Sequence, residues 1–244
     1  MYDVIEVGPF YGSECQLVIS EEKTLLFDTG FGFCANKTLE NIKNALGERQ
    51  LDVIFVSHSH YDHAGGCSLI KKYYKDAKVY AGEYAAKIFA KDSAKKVMNE
   101  MDASAAQMRG EQPVFDAFDD IKIDVCVKDG DKIAFGADEF TVWDTPGHTK
   151  CSVALADLKN KVFFSSETLG VYAGEGIVFP CYLVNYEQTI AAIKRAINEN
   201  FEFVQLPHGE FLEGKRAKRF LELSLIFNQN VYEIINEMFA AGKT

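Results

Sequence analysis

The sequence predicts a mixed α/β fold. Three observations carry this. Short β-branched or aromatic runs alternate with longer amphipathic segments. The run Leu51-Asp-Val-Ile-Phe-Val-Ser57 reads as a buried strand that opens into a polar loop and then Ala64-Gly65-Gly66. A chain of 244 residues, 48% hydrophobic, is long enough for one large core. It is read as one domain over 1–244, with a C-terminal helix over 214–239.

In chain order, strands are expected at 16–20 (Gln-Leu-Val-Ile-Ser), 24–27 (Thr-Leu-Leu-Phe), 53–56, 78–80, 121–127, 140–143, 153–156, 162–164 and 203–206, each a short apolar run rich in Val, Ile, Phe or Tyr. Helices are expected at 37–46, 66–74, 83–101, 186–198 and 214–239. The last carries the apolar stripe Phe220, Leu223, Phe227, Val231, Ile234 and Met238. Asp129-Gly130-Asp131, between two strand-like runs, signals a hairpin.

A net charge of −10 at pH 7 disfavours nucleic acid as a partner, because no basic surplus exists to neutralise phosphates. Lys215, Arg216, Lys218 and Arg219 form a local basic run, read here as a solvated helix face. The N-terminus lacks a basic region followed by an apolar one, and no apolar stretch approaches the ~18 residues that span a bilayer. The six cysteines are scattered without C-x-x-C spacing and need not pair. Cys67 and Cys151 follow closely on histidines, and ordinary packing is the expected role of both. A cytoplasmic location is the simplest, and self-association through the C-terminal helix is the one oligomer the pattern suggests.

The histidines carry the chemistry. All 5 are candidate metal ligands: His58, His60 and His63 lie in Ser57-His-Ser-His-Tyr-Asp-His63, and the others are His148 and His208. Neutral imidazole is the commonest ligand for borderline metals. Alternate histidines on one loop can aim two rings at one ion while Asp62-His63 turns toward another. A strand end opening into a small-residue turn is also where open α/β sheets place ligands. Asp28 and Asp144 sit in turns, where Asp either bonds its own backbone or orients a ligand imidazole from behind.

The run His58-Ser-His60-Tyr-Asp62-His63 resembles the H-x-H-x-D-H signature of the metallo-β-lactamase superfamily. Leu25-Leu-Phe-Asp28-Thr-Gly30, Asp144-Thr-Pro-Gly147-His148-Thr149 and Pro207-His208-Gly209 resemble further elements of that family in the same order. The resemblance implies an αββα four-layer sandwich of two mixed sheets with helices outside. It implies two divalent metal ions, zinc first, with iron or manganese as alternatives. His58, His60 and His148 would hold one ion, and Asp62, His63 and His208 the other. Where the family usually has a bridging aspartate, Lys161-Val-Phe-Phe-Ser-Ser166 is followed by Glu167, whose extra methylene changes the reach.

The chemistry implied is hydrolysis by a metal-bridging hydroxide attacking an electrophilic carbonyl of a small-molecule substrate. A thiolate leaving group needs little protonation, since a thiol pKa is about 8.5. An amine would need a donor such as Asp62 or water. The segment with Tyr172, Phe179 and Tyr182 supplies aromatic residues for a pocket wall. It is similar to the aminobenzoylacetyl-CoA thioesterase branch, and the chain more broadly to glyoxalase II-like and acyl-CoA thioesterase branches, so a thioester is the expected substrate. A lactone or phosphodiester is the alternative within hydrolysis. A diiron oxygen-binding or redox protein of the same fold is the alternative outside it, although the flavodiiron reductases usually carry Glu where this chain has His60. A non-catalytic partner-binding protein that keeps its metals for stability is a third reading.

Overall fold

Short runs of β-branched and apolar side chains become buried strands. Thr24–Phe27 is buried at all of its positions and pairs in parallel with Val53–Val56, whose apolar residues are almost as fully covered. The computed structural model describes residues 2–174 and 176–242. Its chain divides into two compact units, Met1–Val142 and Trp143–Thr244.

The first unit contains β1 (Asp3–Glu6), β2 (Gln16–Ile19), β3 (Thr24–Phe27), α1 (Ala35–Leu46), β4 (Val53–Val56), α2 (Tyr61–Ala64), α3 (Cys67–Tyr73), β5 (Lys78–Gly82), α4 (Glu83–Phe89), α5 (Asp92–Met108), β6 (Val125–Val127) and β7 (Lys132–Phe135), and β8 (Asp138–Asp144) leads out of it. Strands β1 to β6 form one sheet in sequence order. It is antiparallel over β1, β2 and β3 and parallel from β3 to β6. Helix α1 buries Ala35, Thr38, Ile42 and Leu46, the i, i+3, i+4 face of an amphipathic helix. Phe27 and Phe55 stack at 5.5 Å within the sheet, a geometry that adds to the apolar area they remove from water.

The second unit contains β9 (Val153–Asp157), β10 (Val162–Phe164), a 3₁₀ turn over Glu167–Leu169, β11 (Val171–Tyr172), β12 (Val178–Phe179), α6 (Tyr186–Glu199), β13 (Phe203–Gln205), β14 (Phe211–Glu213) and α7 (Lys215–Ala240). Its strands run in the order β14, β13, β10, β9, with a parallel β10–β13 pair between antiparallel neighbours. The core gathers Phe163, Phe201, Ile193, Val204, Phe220 and Leu221, with Phe163 stacked on Phe201 at 4.8 Å. Asn185 caps α6, its Oδ1 accepting from the Gln188 amide at 2.8 Å.

Several elements differ from expectation. The single helix expected over 83–101 is two helices, because Lys91 is extended (φ −101°, ψ 119°) and Asp92 opens a new first turn. Asp129-Gly130-Asp131 does not close a hairpin: it links β6, which pairs with β5, to β7, which pairs with β8. The hairpin turn is at Gly136-Ala137, where Gly136 has φ 63°. Of 121–127, only Val125–Val127 is strand. Strands β1, β11, β12 and β14 are additional to the expected ones, and β7 is the run that follows Asp129-Gly130-Asp131. In α7 the stripe is buried at Phe220 and Leu223 but exposed by Ile234 and Met238. Among the described residues no helix is long and apolar enough to cross a membrane.

The turn that follows the histidine loop packs closely on the turn after β3. Gly65 has ordinary helical angles (φ −63°, ψ −34°), so glycine is not needed for its conformation. It is needed for space, because a Cβ there would lie 2.2 Å from the Gly32 amide nitrogen. Gly65→Ala should therefore destabilise the fold by about 1–3 kcal/mol through overpacking, measured by urea unfolding, and an unchanged midpoint would contradict this close approach.

The same strand-end turn is held from α5. The buried Asp102 carboxylate accepts from the Gly32 amide at 2.7 Å and the Phe33 amide at 3.0 Å. Burial raises its pKa to about 6, against the opposing effect of those two bonds. A folded-state pKa above the unfolded value means that the native state holds the proton more tightly. The stabilisation is complete below the unfolded value and is lost as pH rises through 6. Chelator-treated protein should thus lose stability between about pH 4 and pH 6.5, to a smaller extent in Asp102→Asn. An identical pH dependence in the two proteins would rule Asp102 out as its source.

Candidate metal centre

The histidine loop begins where β4 ends, and one buried carboxylate organises it. Asp28, at the end of the neighbouring β3, adopts the left-handed conformation (φ 60°) that aspartate tolerates better than most residues. Its Oδ1 accepts from the Ser57 amide at 2.7 Å, and its Oδ2 accepts from the Ser57 hydroxyl at 2.7 Å and from His63 Nδ1 at 2.9 Å. The bond to His63 therefore places the proton on Nδ1 and the lone pair on Nε2. Because Ser57 donates its hydroxyl hydrogen to Asp28, its oxygen accepts from His58 Nδ1, 3.0 Å away. His58 is thereby set in the same tautomer. The His58 ring lies 4.6 Å from that of His60 and 4.2 Å from that of His63, and Asp62 Oδ2 is 3.8 Å from His63 Nε2. The loop is also tied down at its far end, where the His63 carbonyl accepts from both the amide and the hydroxyl of Thr29 at 2.7 and 2.9 Å.

The second unit brings three more donors together. Thr168 Oγ1 donates to the Thr145 carbonyl at 2.5 Å, and the Thr145 and Ser166 hydroxyls are 2.8 Å apart, so the Thr-Pro-Gly-His segment is laced to the turn after β10. Ser165 bonds the Gln205 carbonyl through both its amide and its hydroxyl, at 3.1 and 2.8 Å, which brings in the end of β13 and the loop bearing His208. Between these loops lies Glu167, buried, with Oε2 2.8 Å from His148 Nε2 and Oε1 3.2 Å from His208 Nε2.

His148 shows what this arrangement suits. Its Nδ1 is 2.8 Å from the Cys181 carbonyl, which can only accept, so Nδ1 carries a hydrogen. In the neutral imidazole, Nε2 then turns a lone pair toward a carboxylate oxygen at 2.8 Å. Two acceptors at that distance are reconciled by a cation, either a proton on the nitrogen or a metal ion. With imidazoles fixed through Nδ1 by a carboxylate, a hydroxyl and a carbonyl, the donor set fits divalent ions of borderline softness.

Residues 8–208 match the profile of the metallo-beta-lactamase superfamily. The chain belongs to that family. It is 25% identical over 169 residues to the acyl-coenzyme A thioesterase MBLAC2 of Gallus gallus, a match over 66% of this chain and 58% of that protein. The chain thus matches less than two thirds of that curated relative's length. Among solved structures, an archaeal metallo-beta-lactamase superfamily protein, ST1585 from Sulfolobus tokodaii, superposes with a TM-score of 0.69 at 20% identity, covering 92% of this chain and 84% of that one. A metallo-beta-lactamase from Pontibacter korlensis gives 0.68 at 18% identity, covering 94% of this chain and 100% of its own. The mixed α/β fold expected from the sequence is the superfamily fold.

Other predicted positions in this metallo-beta-lactamase superfamily member have varied surroundings. Asp144 lies exposed at the end of β8, whereas Asp28 is the buried hub described above. Tyr172 lies edge-on to Phe220, Tyr182 edge-on to Tyr186, and Phe179 is exposed. Cys67 and Cys151 are buried, and burial pushes the Cys67 thiol up to about 12, as suits a packing residue. No disulfide links the cysteines among the described residues. Sequence reasoning missed an aromatic cluster beside the histidine loop. Phe31 packs against Phe10, Phe33 and Tyr61, with the Arg109 guanidinium 4.5 Å over Phe10 and 5.5 Å over Phe31. Its signal was the alternation Gly30-Phe-Gly-Phe33, directly after Asp28-Thr29.

The Asp28 contacts lead to a direct expectation. Asp28→Asn keeps the shape and the left-handed backbone but loses one acceptor oxygen, and should weaken metal affinity by roughly 10–100-fold, read by competition with a chromophoric chelator. Wild-type affinity in this variant would show that the carboxylate does not orient His58 and His63.

Proposed function

We propose that the chain is a dinuclear metal-dependent hydrolase acting on a thioester, with His58, His60, Asp62, His63, His148, Glu167 and His208 as its metal ligands. The observation that carries this reading is Glu167, a buried carboxylate with one oxygen toward the Nε2 of His148 and the other toward that of His208. This disposition would suit a carboxylate shared between two ions, with glutamate standing where the family usually has aspartate. Zinc is the proposed metal, with iron or manganese as alternatives.

Two divalent ions, when bound, make a water molecule acidic near neutral pH and polarise a substrate carbonyl. The chain's own residues then have defined tasks. Asp28, directly and through Ser57, keeps His63 and His58 aimed through Nε2. The Cys181 carbonyl does the same for His148. Asp62 combines a place beside His63 with partial exposure, which suits it to relay a proton to a leaving group that needs one. A departing thiolate needs little such help. Phe10 and Tyr61, both partly exposed against the buried Phe31, offer apolar surface for an acyl chain. The named activity of the chicken relative points to the same substrate class.

Metal analysis of protein purified without added metal, followed by a panel of thioesters and phosphodiesters, tests this. The expected result is two ions per chain and faster thioester turnover, lost in His60→Ala and His63→Ala. Glu167→Asp should keep its metal, and Glu167→Ala should bind less. A phosphodiester rate above the thioester rate would overturn the substrate assignment. Iron with an oxygen-sensitive optical band and no hydrolysis would replace the reading with the diiron one.

A further inference from the structure

The basic run at the start of α7 has a setting that its sequence does not disclose. It lines a cavity of about 510 Å³ in the second unit, within the range of small-molecule sites. Lys215, Arg216, Lys218 and Arg219 supply the cations, and Tyr172, partly exposed and backed edge-on by the buried Phe220, supplies an apolar floor. Glu222 is the one carboxylate in the lining, so the cavity is cationic in a chain of net charge −10. The positive end of the 26-residue α7 lies at the same place.

The local ion pairs do not cancel this character. Arg216 pairs with Glu210, Lys218 with Glu202 at 2.7 Å, and Arg219 with Glu222 at 3.5 Å. All of these side chains are well exposed, where such pairs contribute little, and phosphate oxygens compete effectively for the same donors. The cavity is also tied to the proposed metal ligands of its own unit. Ser224 of α7 donates to the Leu169 carbonyl in the 3₁₀ turn that begins with Glu167. Tyr172 follows Glu167 by five positions, which limits their Cα separation to about 18 Å.

We propose that this cavity binds the phosphate-bearing nucleotide end of a coenzyme A thioester. The phosphates engage Lys215 and its neighbours, the base packs on the apolar floor, and the pantetheine arm leads the thioester toward Glu167. The proposal rests on the thioester reading for its choice of ligand, and its test separates the two. It also revises the reading of this run as a plain solvated face.

Calorimetric titration of the full chain with coenzyme A, adenosine 3′,5′-bisphosphate and pantetheine is the experiment. Coenzyme A and the bisphosphate should bind, more weakly as salt is raised, and pantetheine should bind at least tenfold less tightly than coenzyme A. The double variant Lys215→Glu, Arg219→Glu should lose at least tenfold of coenzyme A affinity. Lys122→Glu, Lys128→Glu carries the same charge change on exposed residues of the other unit and should retain it. Equal affinity for coenzyme A and pantetheine in the wild-type chain, or equal losses in the two double variants, would overturn the site. Turnover of acyl-CoA and acyl-pantetheine completes the separation. Salt-sensitive coenzyme A binding with neither thioester cleaved would keep the site and remove the reaction. Equal cleavage of both with equal affinities would keep the reaction and remove the site.

Discussion

The buried Asp28 carboxylate is the constraint on which the first unit's donor loop depends. Its two oxygens accept the Ser57 amide, the Ser57 hydroxyl and His63 Nδ1, joining the end of β3 to the loop after β4. A carboxylate removed from water is costly unless its lone pairs are satisfied. Here that requirement positions two imidazoles: His63 is held directly, and His58 is held through a serine whose proton is already committed. Parallel pairing of β3 with β4 puts both strand ends at the same level. Asp102 and the close approach at Gly65 hold the adjacent Phe31-Gly32-Phe33 backbone. The strain of a left-handed aspartate at position 28 is thus maintained by several independent contacts.

The second unit solves the same problem with neutral partners. Serine and threonine hydroxyls lace three loops together, and a backbone carbonyl sets the His148 tautomer. Gly147 shows how tight this is, since a Cβ there would lie 2.0 Å from Thr189 Oγ1. The turn after β10 is a short 3₁₀ segment adjoined by Ser165 and Ser166, and from it the Glu167 carboxylate reaches both imidazoles.

Much of this was legible in the sequence, and the physical reason is periodicity. Strands over 24–27, 53–56 and 162–164 keep the bounds read from their apolar runs, and the run from Ser57 to His63 marked a candidate donor loop, whereas Glu167 was expected only through the family resemblance. What was not legible depends on partners distant in sequence. Strand β1 is exposed along most of its length and exists by pairing with β2, so no buried run announces it. The break between α4 and α5 involves neither proline nor glycine, and only the helix-starting character of Asp92 marks it. Asp28 could equally have been a turn residue, because its role is set by Ser57 and His63, 29 and 35 positions away. The Phe10, Phe31 and Phe33 cluster was not legible either, because its members meet only once Phe10 folds back onto the turn after β3.

The central claim is that a buried carboxylate, a hydroxyl and a carbonyl hold His63, His58 and His148 as Nδ1–H tautomers whose Nε2 lone pairs are left to act as donors. Long-range ¹H–¹⁵N correlation spectra of the zinc-loaded, histidine-labelled protein read this directly. The account predicts a protonated Nδ1 and a metal-shifted Nε2 for these three rings. A protonated Nε2 in His58 or His63 would contradict it.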